Sequence, residues 1–418
     1  MVKRIRLTDC QTNWGFSVMT LSRRKLLARS SAAGFGIAVT GLVDALFTAN
    51  SVAGNRGPAH SYGPLISDPA EVLDLPVGFR YTVISREGQP LRSGGGTVPS
   101  KFDGMATFPD SAGHTRLVRN HECESDPPHP VVASPSHSYD PGGKGGTSTL
   151  LVDSRHQLRA EWVSLGGTTV NCAGGRTPWR TWLSCEEIED RAGTAGYTKD
   201  HGFVFEVDPY HNHRNTNPTP LTAMGRFEHE AVAVDPRTGI VYETEDADND
   251  YAKSLGLFYR FLPAKPLGGY DSLRAGGVLE AMRVPGVTDL SEVQEVGTMF
   301  PSIEWVRVPD PLATTEPTRE QDYGSSGITR AQKLECAWWG DDMAYFVSSY
   351  GRAAKGSKRE HDGQGWRYDP KANALELTVI FTRSPDTPAD QLFQAPDNIC
   401  VSPYGGLLIA QDGNGKAT

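Results

Sequence analysis

The chain has 418 residues, with 41 Lys and Arg against 50 Asp and Glu, a formal net charge of -9 and a pI near 5.7. That balance, with no basic stripe beyond the N-terminus, excludes a nucleic-acid binder. The 45 glycines and 29 prolines exceed the roughly 12 % of an average domain and favour many short strands joined by turns.

Residues 1–53 read as a targeting segment. Ser22-Arg23-Arg24-Lys25-Leu26-Leu27 is a twin-arginine signature, preceded by an extension over residues 1–18. A Gly-rich apolar run over 32–49 follows, and Ser51-Val52-Ala53 fits a small-residue cleavage site. The run is too short for a membrane anchor and contains Gly34, Gly36, Gly41 and Asp44. Residues 54–418 form the second unit, read as one all-β domain.

Strands are expected at 80–85, 149–153, 160–165 and 202–207, and a hairpin at 366–380. Gly94-Gly95-Gly96 lacks the strand-then-helix setting of a phosphate loop. Residues 127–146 read as a surface loop, and 263–321 as an irregular excursion on the rim. Six cysteines, at 10, 123, 172, 185, 336 and 400, show no CxxC spacing. In so large a chain they do not suggest a disulfide framework.

One pattern recurs. Asn171-Cys172-Ala173-Gly174-Gly175-Arg176 leads through a Pro-Trp turn to Thr181-Trp182-Leu183-Ser184-Cys185-Glu186-Glu187. In an antiparallel hairpin the start of one strand and the end of the next share an edge, so Cys172 and Glu187 become neighbours. Similar hairpins start at Glu230, Glu335 and Asp397, and a looser copy runs from Asp103 to Glu122. Glu230 to Glu245 and Asp397 to Asp412 repeat the offset of Cys172 to Glu187. Radially repeated antiparallel units of this kind make a β-propeller.

If these hairpins are inner strands, Cys172, Glu187, Glu230, Glu335, Asp397 and Glu122 converge at one end. Several carboxylates together require raised pKa values, basic neighbours or multivalent cations. Few Lys or Arg accompany these strand ends, which favours cations. Oxygen ligands suit calcium or magnesium, and a thiolate adds affinity for iron or zinc. Cys185, Cys336 and Cys400 read as core residues. His121 and His229 flank the acids as ligands or as supports.

The twin-arginine signal, Asn171-Cys172-Ala173-Gly174-Gly175 with Thr177-Pro178-Trp179, and Cys185-Glu186-Glu187 resemble the PhoX-type alkaline phosphatase family. So do Asn120-His121-Glu122, His229-Glu230-Ala231, Tyr259-Arg260-Phe261 and Glu304-Trp305-Val306. The resemblance covers residues 73–418. It implies a six-bladed propeller with a diiron centre, calcium ions and a bridging oxo group. By motif, Cys172 is similar to a thiolate ligand of iron, and Glu187, Glu230 and Glu335 to carboxylates shared between iron and calcium. Asn120 and Lys333 are the candidate catalytic residues. Lys333 stands where the family is expected to hold phosphate with arginine, and lysine lacks the bidentate fork. The chain also ends, at Thr418, where the family continues, so an incomplete last blade is expected.

These readings lead to an exported phosphomonoesterase, periplasmic or secreted. It is expected to be monomeric, to use the twin-arginine export machinery and to have no stable membrane anchor. Two alternatives stay open. One is a calcium-dependent lactonase or phosphotriesterase propeller, which needs no cysteine ligand. The other is a non-catalytic propeller binding module with structural cations.

Overall fold

The computed structural model describes residues 4–6, 35–41, 65–70, 72–247, 255–325, 327–351, 362–381, 395–402 and 406–411. The twin-arginine signature, the cleavage site, Asp412 and the end of the chain lie outside them. The described residues form an all-β structure of antiparallel sheets, with short 3-10 turns and no α-helix. No helix among them is long and apolar enough to cross a membrane.

All five expected hairpins are present, and each opens a sheet. Phe102–Pro109 and Thr115–His121 continue through Gly145–Val152 to Leu158–Thr168. Asn171–Arg176 and Trp182–Glu186 continue to Val204–Val207. His229–Val234 and Val241–Glu245 continue through Phe258–Pro263 and Gly277–Arg283 to Glu304–Arg307. Leu334–Gly340 and Met343–Gly351 continue through Asp362–Asp369 and Ala374–Phe381 to Met299–Pro301. Pro396–Val401 and Leu407–Gln411 pair further with Arg4–Arg6. Separately, Phe35–Gly41 pairs with Phe79–Arg86.

The opening strands lie side by side in chain order, and Asn171–Arg176 and His229–Val234 among them are buried on both faces. Their backbones approach so closely that side chains are excluded at particular points. A Cβ at Gly104 would meet Ala173 Cα at 2.6 Å, and one at Gly175 would meet Val232 O at 2.0 Å. Glycine is what permits this contact between sheets. Farther out, Ala374–Phe381 alternates half-buried and buried positions, the period of a strand with one wet face. Phe258 and Phe346 stack at 4.2 Å across the third and fourth sheets, inside the largest apolar cluster.

One expectation is corrected. Residues 263–321 are not a structureless excursion, because Gly277–Arg283, Met299–Pro301 and Glu304–Arg307 complete the outer edges of two sheets. Outer strands are partly solvated, and Met299–Pro301 buries no residue fully. Their sequences therefore lack the apolar run that marks an inner strand.

Candidate metal centre

The five hairpins share a defect at the same place. Asn171 pairs with Glu186, and the register then shifts before Gly174 pairs with Ser184. The same shift separates Phe102 from Met105, His229 from Val232, Leu334 from Ala337 and Pro396 from Ile399. A β-bulge leaves its extra residues off the ladder and re-aims their side chains. The residue entering each bulge is Asp103, Cys172, Glu230, Glu335 or Asp397.

The opposite strand is equally regular. The backbone N–H groups of Glu122, Glu187, Asp246 and Ser349 donate to the carbonyls of Lys101, Val170, Glu228 and Lys333, at 2.9 to 3.1 Å. Lys101, Val170, Lys333 and Ala395, each two residues before a bulge side chain, have φ between 44° and 54°. Non-glycine residues pay strain for that left-handed turn. The same turn thus precedes four of the five bulges, and Glu228 before Glu230 does without it.

The side chains then meet. Ligand-capable atoms of Cys172, Glu187 and Glu230 lie within 4.8 Å of one another, as do those of Glu230, Glu335 and Asp397. Glu230 belongs to both groups. Five of the six acids and thiols expected to converge do so. Glu122 lies outside both groups, near enough for its charge to raise the Glu187 pKa.

Burial, then the charges of Glu230 and Glu187, push the Cys172 thiol well above its usual range. Burial, then Glu230, Asp246 and Glu122, do the same to the Glu187 carboxyl. The cation that meets them is Lys333, whose Nζ lies 2.6 Å from Asp246 and 2.5 Å from Glu335. Burial works against the ammonium, but Asp246, Glu335 and Glu187 raise its pKa well above normal. A thiol and several carboxylates crowded round one ammonium suit multivalent cations, which would replace mutual repulsion by ligation.

Asn120, the other candidate catalytic residue, lies against the Cys172 hairpin. It is fully buried, and its Nδ2 donates to the carbonyls of Cys172 and Ala173, at 3.3 and 2.6 Å. Its Oδ1 accepts from Trp182 Nε1 and Ser184 Oγ, at 2.9 and 3.0 Å. All four of these bonds serve the Cys172 bulge and the hairpin that carries it.

Glu245 is corrected as well. It pairs with His229 as Glu186 pairs with Asn171, so the counterpart of Glu187 is Asp246. The two flanking histidines face the protein. His121 bonds Ser100 O and Ser148 Oγ, and His229 lies 3.3 Å from Glu243 inside the wall. The residues not singled out from sequence are Asp103 and Asp246. Asn398 Nδ2 donates to Asp103 Oδ1 at 3.0 Å, linking the last hairpin to the first. The position of Asp103, matching Cys172 in its hairpin, was a usable signal.

A family model described as alkaline phosphatase PhoX matches residues 60–418. No curated protein sequence matches the chain. Among solved structures, Pseudomonas fluorescens PhoX in complex with vanadate, a transition state analogue, superposes with a TM-score of 0.55 at 17% identity. That match covers 97% of this chain and 84% of the other, and it concerns the fold. A glucose dehydrogenase aligns at 11% identity over 81% of this chain and 88% of its own, with a TM-score of 0.35.

Proposed function

The chain belongs to the PhoX alkaline phosphatase family, and on that premise we propose that it is an exported phosphomonoesterase built on a metal centre at the bulge side chains. The observation that carries this is the meeting of Cys172, Glu187, Glu230, Glu335 and Asp397 in two groups that share Glu230. Cys172 and its neighbouring carboxylates would hold iron, and the all-carboxylate group of Glu230, Glu335 and Asp397 would hold calcium. Asp103, Asp246 and Glu122 stand beside them as further oxygen donors. Iron and calcium held there would supply Lewis acidity toward the phosphoryl oxygens and activate the attacking water.

The chain's own contribution is placement. Asn120 fixes the backbone that presents Cys172, and the paired strand ends aim Glu187 and Glu230 at one volume. Lys333 keeps its proton, and it would swing its ammonium from Asp246 and Glu335 toward the phosphate to offset charge on the transferring group. The six-bladed propeller is proposed with it. Five opening strands packed in chain order and the Asn398–Asp103 link support a radial, propeller-like arrangement, and the count of six rests on the family alone. Twin-arginine export to the periplasm or medium, and action as a monomer, complete the reading.

The test is elemental analysis of purified protein together with hydrolysis of an aryl phosphate. The expected result is bound iron and calcium, with turnover that a calcium chelator abolishes. Cys172→Ala or Glu187→Ala should remove iron and lower turnover at least a hundredfold. An iron-replete Cys172→Ala enzyme with normal turnover would sink the assignment. Calcium without iron and without phosphatase activity would favour a lactonase or a binding module.

A further inference from the structure

Behind two of the proposed ligands sit two buried glutamates in matching register. Glu186 precedes Glu187 and pairs with Asn171, and Glu245 precedes Asp246 and pairs with His229. Both are fully buried. Each accepts a backbone N–H from the chain that enters the neighbouring strand. Gly202 N reaches Glu186 at 3.0 Å, and Leu257 N reaches Glu245 at 2.9 Å. Each also meets one basic side chain brought from elsewhere in the fold. His201 Nδ1 lies 2.6 Å from Glu186, and Arg319 Nη1 lies 2.9 Å from Glu245.

The basic groups are themselves braced. His201 Nε2 lies 3.5 Å from Asp140, whose carboxylate accepts the N–H groups of Thr198 and Lys199. Arg319 Nη2 reaches Glu189 at 2.9 Å. Glu186 also accepts from Thr169 N at 3.0 Å, so one carboxylate ties both ends of the Cys172 hairpin. No residue intervenes between the gripped glutamate and the proposed ligand. A rotation of Glu186 therefore carries Glu187 with it.

We propose that His201 is a positioning residue of the metal centre, holding Glu187 in place through Glu186, and that Arg319 does the same for Asp246 through Glu245. Partners that orient metal ligands are worth tenfold to a hundredfold in metal affinity. A bracing pair that only stabilised the fold would leave metal affinity unchanged. The inference rests on the metal-centre reading above.

The experiment compares His201→Gln and His201→Asn in the full chain, because an asparagine amide stands near the place of Nδ1 and a glutamine amide near that of Nε2. Iron and calcium retention is read by dialysis against a graded chelator, and folding by thermal melts in excess chelator. His201→Gln should release metal at a chelator level at least about tenfold below wild type. His201→Asn should hold it within about threefold of wild type, and the metal-free melts of the two should agree. Arg319→Lys, which keeps charge but loses the fork, should release metal early in the same way. Wild-type retention in both His201→Gln and Arg319→Lys would overturn the proposal. So would equal metal loss in His201→Gln and His201→Asn with equally lowered metal-free melts. A wild-type chain that binds neither iron nor calcium would refute the centre itself and be distinguishable from either result.

Discussion

Asn120 concentrates more of the site's geometry than any ligand does. Its one amide satisfies two bulge carbonyls, an indole N–H and a hydroxyl, all out of water. Replacing it with alanine leaves several buried polar groups unpaired, each costing about 1–3 kcal/mol. Asn120→Ala should therefore lower the unfolding free energy by about 3 kcal/mol or more. In a denaturant titration this appears as a lower midpoint at unchanged slope, since the exposed area on unfolding stays the same. A midpoint within error of wild type would show that the bulge holds without it.

At the scale of the hairpin, the bulge is the working part. Gly174 leaves it with φ +157°, and a Cβ there would meet Leu183 O at 1.9 Å. A backbone oxygen cannot step aside as a flexible side chain can. Gly174→Ala should force the ladder apart, at a cost of about 3 kcal/mol or more, and release iron by displacing Cys172. Thermal melts and iron content measure the two effects, and an iron-replete, equally stable variant would refute the account. The hairpins themselves were legible, because apolar strands, turn residues and terminal acids recur in one order. The bulge was not, since residue counting assumes a regular ladder. Glu245 stood in for Asp246 because its hairpin has the same bulge but a turn one residue longer, 235–240 against 177–181. His201 and Arg319 were hidden for another reason. They reach Glu186 and Glu245 from 15 and 74 residues away, and no local pattern marks such a partner.

Across the whole molecule, the candidate centre draws its side chains from four sheets that already pack against one another in chain order. Cys172 and Glu187 come from the second sheet, Glu230 from the third, Glu335 from the fourth and Asp397 from the last. Cations bound there would act as a shared clamp, adding stability by mass action of about 2.7 kcal/mol at a hundredfold excess over Kd. The two groups share Glu230 but not Glu335, and this separates their loss. Glu335→Gln weakens only the all-carboxylate group, so its thermal midpoint should lose most of its rise with added calcium while iron stays with Cys172. Glu230→Gln touches both groups and should lose the calcium response and the iron together. Midpoints across a calcium series, with iron measured on the same samples, decide the matter. Glu230→Gln protein with wild-type iron and a wild-type calcium response would mean that the bulge side chains converge without sharing a metal, and that the clamp between sheets is their packing alone.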